Sequence, residues 1–311
     1  MRRFRRPTAE PGRAGIRLGG VRAGWYWSPV RHDPANYRRG WKLVGERFGA
    51  WPVGKIEHAD VAEWVADLGK VTGPDTVRLT HRVLCQVLDH AMRTRRVPIN
   101  VARGVRLPPR APAREVILTV EQVNALASAM PKDGDMVLAM AYLGLRWSES
   151  VALRVVDVDL VRRRVHVVER ATEVDGRMDV SQPKSKASNR YVGIPSRIAQ
   201  LLADRLEGKE SRDLVFPSPE GTYMRSRNWR RRSGFDSARE SLGLDQVTPH
   251  DLRRTFGSLA RMAGADLRFI QKAMGHGSIT TTARIYAHLY DDELDAVARA
   301  LDGLGNGSDG A

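Results

Sequence analysis

Two short segments after residue 140 carry side chains that could hold a phosphate group. Arg146 lies between an apolar helical stretch and the start of the next helix. The segment Thr248-Pro249-His250 predicts a capped helix start, and Arg253 follows on the same face as His250 one turn later. Arginine forks and helix N-termini both bind anions, so these residues favour a phosphate site. A local ion pair for Arg146 and an ordinary capped helix are the alternatives.

Two further segments carry a lysine pair and a tyrosine. Lys184 and Lys186 lie close together in a chain that has only 8 lysines among 51 basic residues. A lysine on a hairpin tip can enter a DNA groove or give a proton to a leaving oxygen, although most charged loops are simply solvated. His276 is predicted in the turn between two helices, and Tyr286 lies ten residues later on the second of them. The alternative for Tyr286 is a packed aromatic ring with a hydrogen-bonded hydroxyl.

Helical periodicity predicts that a mostly helical second domain, residues 119–301, positions these segments. Thr119 and Gln122 fit a capping box ahead of a helix that ends at Met130. Residues 155–194 change to the period of strands, and the turn Asp175-Gly176 predicts a small β-meander or a pair of hairpins. The other expected helices are one ending at 143 and those at 148–154, 196–207, 226–241, 249–263, 267–274, 279–287 and 291–301.

The first part of the chain predicts a separate helical domain, residues 31–103. Its helices are expected over about 35–48, 58–68 and 74–97, from apolar residues that recur on one face. Residues 1–30, rich in arginine and without periodicity, predict a flexible basic arm. Three prolines make residues 104–118 an extended basic linker. The glycine-rich residues 302–311 predict a flexible tail. The expected fold class is therefore mostly α, a helical domain plus a mixed α+β domain with a small antiparallel sheet.

The charge distribution favours a polyanionic partner. The 311 residues carry a formal charge of +15, and residues 1–110 hold 22 basic and 9 acidic side chains, against 29 and 27 in the remainder. Such asymmetry indicates nucleic acid or an anionic membrane. Codon bias in a genome rich in G and C is the alternative reading, but it does not explain the missing acids between residues 1 and 110. The expected DNA contacts lie at the end of the third helix, in the linker, in the segment around the two lysines (residues 182–191, the lysine segment) and in the arginine-rich stretch 225–232. They are Arg93, Arg95, Arg96, Arg106, Arg110, Lys186, Arg227, Arg230 and Arg231.

The same sequence excludes several classes of protein. A single cysteine, Cys85, excludes an intramolecular disulfide framework and a cysteine-rich zinc site. The N-terminus lacks the apolar stretch of a secretory signal and no run of 18 apolar residues is present, so we expect a cytoplasmic location and no membrane partner. There is no G-x-x-x-x-G-K-[ST], no convincing G-x-G-x-x-G and no H-E-x-x-H motif, so we expect neither a cofactor nor a metal.

Taken together, the order Arg, Lys, His-x-x-Arg, Gly-His, Tyr over residues 115–301 resembles the catalytic domain of the tyrosine recombinases, the phage integrase family. The helical domain before it resembles that family's core-binding domain. The resemblance implies that Tyr286 is the nucleophile and that the other catalytic residues are Arg146, Lys184, His250, Arg253 and His276. Lys186 is the alternative to Lys184. Glu149 matches the acidic residue that often lies three positions after the first arginine.

The resemblance also implies a function and partners. It implies a site-specific recombinase that breaks and rejoins double-stranded DNA through a covalent 3′-phosphotyrosine, without metal or ATP. It further implies a homotetramer on paired sites, a nucleoid-associated location and room for an excisionase or DNA-bending accessory protein. The alternatives are a host-type dimer-resolving recombinase, a topoisomerase-like relaxing enzyme, and a prophage-remnant DNA-binding protein without catalysis. Residues 1–30 are too short for the separate arm-binding domain of many phage integrases.

Overall fold

The computed structural model describes residues 16–25, 34–110, 116–174, 176–182 and 186–286 of the chain. The chain divides into two compact units, residues 1–113 and 114–311. The boundary between the units falls within the predicted linker. In the part of the chain that is described, no helix combines the length and the apolar character that a membrane span requires.

The described part of the first unit contains four helices: α1 (Leu18–Trp25), α2 (Pro34–Phe48), α3 (His58–Val71) and α4 (Pro74–Arg93). Their apolar faces meet in one core, in which the ring of Phe48 packs edge-on against Trp51 and Trp64 at centroid distances of 5.6 and 5.2 Å. Edge-to-face packing of this kind adds stability beyond the apolar area that the rings bury. Helix α4 ends four residues before the predicted position 97, and Arg95 adopts a left-handed backbone with φ +55°.

The prediction of a flexible arm over residues 1–30 is wrong for residues 16–25. Leu18 and Val21 of α1 are fully buried in the core of the first unit. Two backbone hydrogen bonds, from Leu18 N–H to the carbonyl of Trp51 and from Val53 N–H to the carbonyl of Ile16, hold the segment in place. Leu18 and Val21 did not predict a helix because glycines and arginines surround them in the sequence. Residues 1–15 and 26–30 of the predicted arm lie outside the described residues.

Residues 97–110 pack onto the first unit through polar contacts. Asn100 donates to the carbonyl of Cys85 (2.8 Å) and to Asp89 (2.7 Å). Asp89 also pairs with Arg103 at 2.8 Å, and Arg78 donates to the carbonyl of Pro108 at 2.8 Å. The first part of the predicted linker is therefore tied to α4. Residues 111–115 lie outside the described part.

The second unit is mostly helical and carries two small antiparallel sheets. Strands β1 (Val158–Asp159), β2 (Arg164–Val167) and β5 (Arg190–Gly193) form one sheet in the order β1-β2-β5, and β3 (Arg170–Val174) pairs with β4 (Arg177–Ser181) in a hairpin. The register of β2 and β5 pairs His166 with Tyr191, whose rings stack at 4.1 Å. The predicted mostly α fold class with a small antiparallel sheet is confirmed.

The helices of the second unit are α5 (Val120–Ala129), α6 (Gly134–Leu143), α7 (Trp147–Ser150), α8 (Ser196–Leu206), α9 (Ser226–Ser233), α10 (Phe235–Ser241), α11 (Pro249–Met262), α12 (Leu267–Met274) and α13 (Ile279–Tyr286). The single helix predicted over 226–241 is broken at Gly234, which has φ +72°. The capping box of Thr119 and Gln122 forms as predicted, with reciprocal bonds of 2.9 and 3.2 Å. The helix predicted at 291–301 and the tail 302–311 lie outside the described residues.

Candidate active site

A glycine at the junction of α6 and α7 determines where Arg146 emerges. Gly144 ends α6 with φ +62°, and a Cβ atom there would lie 2.5 Å from the ring of Phe256 on α11. A residue with a side chain would meet both a strained backbone and a steric clash. The chain then turns into α7, and the backbone N–H of Arg146 donates to the carboxylate of Glu149 at 2.9 Å. This contact caps α7 and leaves the Arg146 side chain 35% exposed.

The carboxylate of Glu149 lies among three arginines. Arg146 Nη1 lies 2.5 Å from Oε1, Arg190 contacts both oxygens at 3.1 and 2.9 Å, and Arg253 Nη1 lies 3.8 Å from Oε2. Burial alone would raise the pKa of Glu149, whose side chain is 3% exposed, but the hydrogen bonds and charge of Arg190 and the charges of Arg146 and Arg253 outweigh it and hold the pKa at about 2. Three guanidinium groups and one carboxylate leave two positive charges unbalanced at this cluster, so it attracts anions.

Arg253 lies below the surface of the cluster. It is on α11, is 1% exposed, and donates from Nη1 to the carbonyl of Gly144 at 2.5 Å and from Nη2 to the carbonyl of Met274. The start of α11 is fixed by Asp251, which accepts hydrogen bonds from the backbone and the hydroxyl of Thr248 at 3.0 and 2.6 Å. Arg253 therefore supplies fixed positive charge, and its terminal nitrogens already bond protein carbonyls. Of the three arginines, Arg146 has the most exposed side chain, and its Nη2 donates to the carbonyl of Gly275 at 3.2 Å.

His250 lies in the first turn of α11, with its side chain exposed. Its pKa is lowered, first by crowding of the ring by surrounding protein and then by the charges of Arg254 and Arg253. Nearby cations make the imidazole a weaker base than free histidine. They also keep the ring unprotonated at neutral pH, so it can still accept a proton. The predicted positions of His250 and Arg253 on one turn of a capped helix agree with the structure.

His276 follows the left-handed residue Gly275, which ends α12 with φ +62°. A Cβ at Gly275 would lie 2.9 Å from the carbonyl of Ala187, so the turn packs closely on the lysine segment. Nδ1 of His276 lies 3.0 Å from the hydroxyl of Thr282, a fully buried residue of α13. Burial, and then the charges of Arg253 and Arg146, lower the pKa of His276 to about 4. The ring is therefore neutral at pH 7.

The lysine and the tyrosine are only partly placed. Lys186 begins a 3-10 turn, Lys186–Ser188, and Tyr286 is the last residue of α13. Lys184 and the side chains of Lys186 and Tyr286 lie outside the described residues. The structure thus brings Arg146, Arg253, His250 and His276 to one cluster, and the backbone leads from His276 along α13 to Tyr286.

Arg190, the first residue of β5, was not among the site residues predicted from the sequence. Its side chain is 2% exposed, and both of its terminal nitrogens donate to the carboxylate of Glu149. Arg190 and Val192 are both buried, whereas Tyr191 between them is exposed. That alternation was the available signal, because an arginine on the inward face of a strand needs a buried acidic partner.

The predicted DNA contacts divide into paired and unpaired arginines. On α9, Arg230 pairs with Asp236 at 2.6 Å, and Arg232 pairs with Asp133. The absence of acids within the stretch 225–232 is therefore offset by acids from outside it. Arg227 and Arg231 are exposed, and within the described residues neither has an acidic partner.

In the first unit, four of the predicted contacts, Arg93, Arg95, Arg96 and Arg106, are exposed. The fifth, Arg110, is also exposed but lies 3.8 Å from Asp75.

Comparison with known proteins identifies the family. Residues 117–293 match the Phage integrase family. The chain is 26% identical over 277 residues to the ICEBs1 integrase of Bacillus subtilis (strain 168), covering 85% of this chain and 75% of the relative. It is 32% identical over 275 residues to tyrosine recombinase XerC of Roseiflexus castenholzii (strain DSM 13941 / HLO8), covering 79% and 78%.

A solved structure of the Tn1549 transposon integrase in complex with a circular intermediate DNA has the same fold, with a TM-score of 0.78 at 20% identity over 92% of this chain and 100% of that one. The chain therefore belongs to the phage integrase family, the tyrosine recombinases. It is a site-specific DNA recombinase, as the order of motifs predicted.

Proposed function

We propose that this recombinase cleaves DNA by attack of Tyr286 on a phosphodiester held at the arginine cluster, and that it integrates mobile-element DNA. The observation that carries the proposal is the cluster itself, in which Arg146, Arg190 and Arg253 surround the single carboxylate of Glu149. Its unbalanced positive charge suits the charge that develops on the non-bridging oxygens when an oxygen attacks phosphorus.

The tyrosine hydroxyl forms a bond to phosphorus while the bond from phosphorus to the 5′ oxygen breaks. This step yields a 3′-phosphotyrosyl enzyme and a free 5′ hydroxyl. Free tyrosine has a pKa of about 10, so Tyr286 needs a base near neutrality, and His250 is the candidate because its lowered pKa keeps the ring unprotonated. Arg146 binds the phosphate directly, Arg253 adds charge from below, and His276 donates a hydrogen bond from the nitrogen that does not face Thr282.

The leaving 5′ oxygen needs a proton, and a lysine of the segment before β5 is the proposed donor. We assign this role to Lys184, with Lys186 as the alternative. The close contact between Gly275 and the carbonyl of Ala187 supports the assignment, because it packs the lysine segment against the turn that carries His276. In the reverse step a 5′ hydroxyl of another strand attacks the phosphotyrosine and releases Tyr286, so the phosphodiester energy is retained.

Double-stranded DNA is the proposed substrate, held by a homotetramer that pairs two sites. The basic excess of residues 1–110 supports a large contact with the phosphate backbone, and such contacts fix position more than they read sequence. An excisionase or DNA-bending protein would assist. The resemblance to both an integrase and a XerC recombinase keeps dimer resolution as the second candidate function. A location near the nucleoid follows from the DNA substrate.

Covalent trapping tests the proposal. Nicked suicide duplexes with a randomised core, incubated with the purified chain, should give a protein–DNA band that survives SDS, and sequencing the attached strands identifies the site. Tyr286→Phe should abolish the band, with Tyr290→Phe as the matched control. A band that persists in Tyr286→Phe and disappears in Tyr290→Phe would reassign the nucleophile.

The proposed lysine role is tested with a bridging 5′-sulfur substrate, since a thiolate leaves without a proton. Lys184→Ala should cleave the ordinary substrate at least tenfold more slowly and the sulfur substrate at nearly the wild-type rate. Equal loss on both substrates would assign Lys184 to DNA binding instead. Lys186→Ala is the parallel variant, and restoration by sulfur in that variant alone would move the role to Lys186.

A further inference from the structure

All three nitrogens of the Arg190 guanidinium group donate hydrogen bonds to protein acceptors. Nε donates to the carbonyl of Ala273 at 2.5 Å, Nη1 to Glu149 at 3.1 Å and to the carbonyl of Ser188 at 3.2 Å, and Nη2 to Glu149 at 2.9 Å. These bonds use four of its five N–H groups. With 2% of its side chain exposed, Arg190 has no fork left for a phosphate.

These contacts join three segments that carry the proposed chemistry. Glu149 lies on α7 and holds Arg146. Ala273 lies in the last turn of α12, directly before Met274, whose carbonyl accepts from Arg253. Ser188 ends the 3-10 turn of the lysine segment. Arg190 is thus bonded to α7, to the turn that leads to His276 and to the lysine segment.

The geometry at Glu149 shows how one arginine orients another. Oε1 accepts from Arg146 Nη1 and Arg190 Nη1, while Oε2 accepts from the backbone of Arg146 and from Arg190 Nη2. The fork of Arg190 therefore fixes the plane of the carboxylate to which Arg146 Nη1 donates. Arg146 Nη2 donates in addition to the carbonyl of Gly275 at 3.2 Å, in the turn that follows Ala273. A buried ion pair often contributes little net stability compared with an apolar pair of the same size, and its best-attested use is to fix one arrangement of the groups around it.

We propose that Arg190 is a positioning residue for strand cleavage, which acts on Arg146 through Glu149 and holds the 3-10 turn Lys186–Ser188 and the His276 turn against α7. This proposal rests on the proposed function, in which Arg146 binds the scissile phosphate. Arg190 itself touches neither the DNA nor the reacting atoms.

Single-turnover trapping of Arg190→Lys on the suicide duplex selected for the wild type tests the proposal. Lysine keeps the charge but loses the planar fork, so we expect cleavage to slow by about 10²-fold, comparable to the loss of one oriented donor, while DNA affinity stays within threefold. Arg205→Lys is the matched control, because Arg205 forms a similar fork with Asp135 on another face and should cleave at the wild-type rate. Cleavage by Arg190→Lys within threefold of wild type would overturn the proposal.

A neutral substrate separates positioning from general damage. If Arg190 acts through the placement of Arg146, a methylphosphonate at the scissile position, which lacks one negative charge, should reduce the effect of Arg190→Lys to less than tenfold. An equal loss on both substrates would refute the coupling to Arg146. The double variant Glu149→Leu/Arg190→Met removes the buried Glu149–Arg190 pair as a unit and leaves Arg253 in place. It should fold and bind DNA, yet cleave as slowly as Glu149→Leu alone. Additive losses would mean that Arg190 does not act through Glu149.

Amide hydrogen exchange of the DNA-free protein gives a readout that does not depend on catalysis. Arg190→Lys should speed exchange together in residues 145–153, 186–190 and 271–278, and should leave α5 unchanged. Faster exchange confined to β5 would overturn the positioning role even if Tyr286 were not the nucleophile. Failure of the proposed function would instead appear as a wild-type protein that forms no Tyr286-dependent adduct.

Discussion

Replacing Glu149 by glutamine removes the carboxylate that Arg146, Arg190 and Arg253 share. The amide keeps the size of the side chain and one oxygen to accept from the Arg146 backbone. It also points an NH2 group at a guanidinium group, where two donors face each other without an acceptor. Because Glu149 is 3% exposed, water cannot compensate for the lost charge. We therefore expect a large loss of stability in the second unit.

Two estimates of the loss agree. The pKa of Glu149 lies at about 2, below its ordinary value of 4.5, and this difference corresponds to about 3 kcal/mol of folding free energy at pH 7. Removal of one partner from a buried ion pair costs about 3–5 kcal/mol by mutational experience. Since the pKa is lowered in the folded state, the stabilisation is complete above pH 4.5 and is lost as the pH falls towards 2. The wild type and Glu149→Gln should therefore approach each other in stability below pH 4.5.

The assay is amide exchange of the slowest peptides in α6, which report on unfolding of the second unit. At pH 7, a loss of about 3 kcal/mol speeds their exchange about a hundredfold. Glu169→Gln is the matched control, because Glu169 pairs with Arg154 at 3.2 Å but is 34% exposed. An exposed pair contributes at most about 1 kcal/mol, so this variant should differ from wild type by less than tenfold. If Glu149→Gln behaves like Glu169→Gln, the cluster is not held by its carboxylate and the reasoning fails.

Three further variants address other parts of the molecule. Gly144→Ala should destabilise the second unit by about 2 kcal/mol or more, because the methyl group would lie 2.5 Å from Phe256 at a left-handed backbone; a Tm within one degree of wild type would contradict this expectation. Between pH 7.5 and pH 5, the wild type should lose about 2 kcal/mol more folding stability than His276→Gln. The pKa of His276 is lowered to about 4 in the folded protein, so in this range protons bind preferentially to the unfolded chain. Parallel pH profiles would show that His276 does not titrate in this way. Arg231→Ala should reduce the salt slope of binding to a 30-bp duplex by about 1, whereas Arg230→Ala, whose partner is Asp236, should change it less; equal slopes in wild type and Arg231→Ala would remove α9 from the DNA contacts.

The sequence predicted the local parts of the site well and its long-range contacts poorly. His250 and Arg253 could be placed because a capped helix start and a spacing of three residues fix their relation within one turn. The position of Arg146 followed similarly from the end of one helix and the start of the next. Each of these features depends on a few neighbouring residues, which is why the pattern alone was sufficient.

Arg190 and Thr282 could not be assigned a role in this way. Arg190 reaches Glu149 across 41 residues, and the reason for the contact is the pairing of β2 with β5 and the packing of α12 on β5. Thr282 meets His276 because the turn after Gly275 brings α13 into contact with α12. Helix α1 was missed for the same reason, since the role of Leu18 and Val21 depends on the core in which they are buried.

Residues 111–311 are nearly neutral overall, but their basic and acidic side chains are distributed unevenly. Away from the site, several arginines each have an acid of their own: Arg154 pairs with Glu169, Arg162 with Asp159 and Arg225 with Glu173. At the site, three arginines share Glu149. Because long-range charges are screened within about 10 Å in salt, the overall charge of the unit has little influence on a bound phosphate, whereas the local imbalance acts at contact distance. The positive potential that holds a scissile phosphate therefore comes from the scarcity of acids around Glu149, not from an excess of basic residues in the unit.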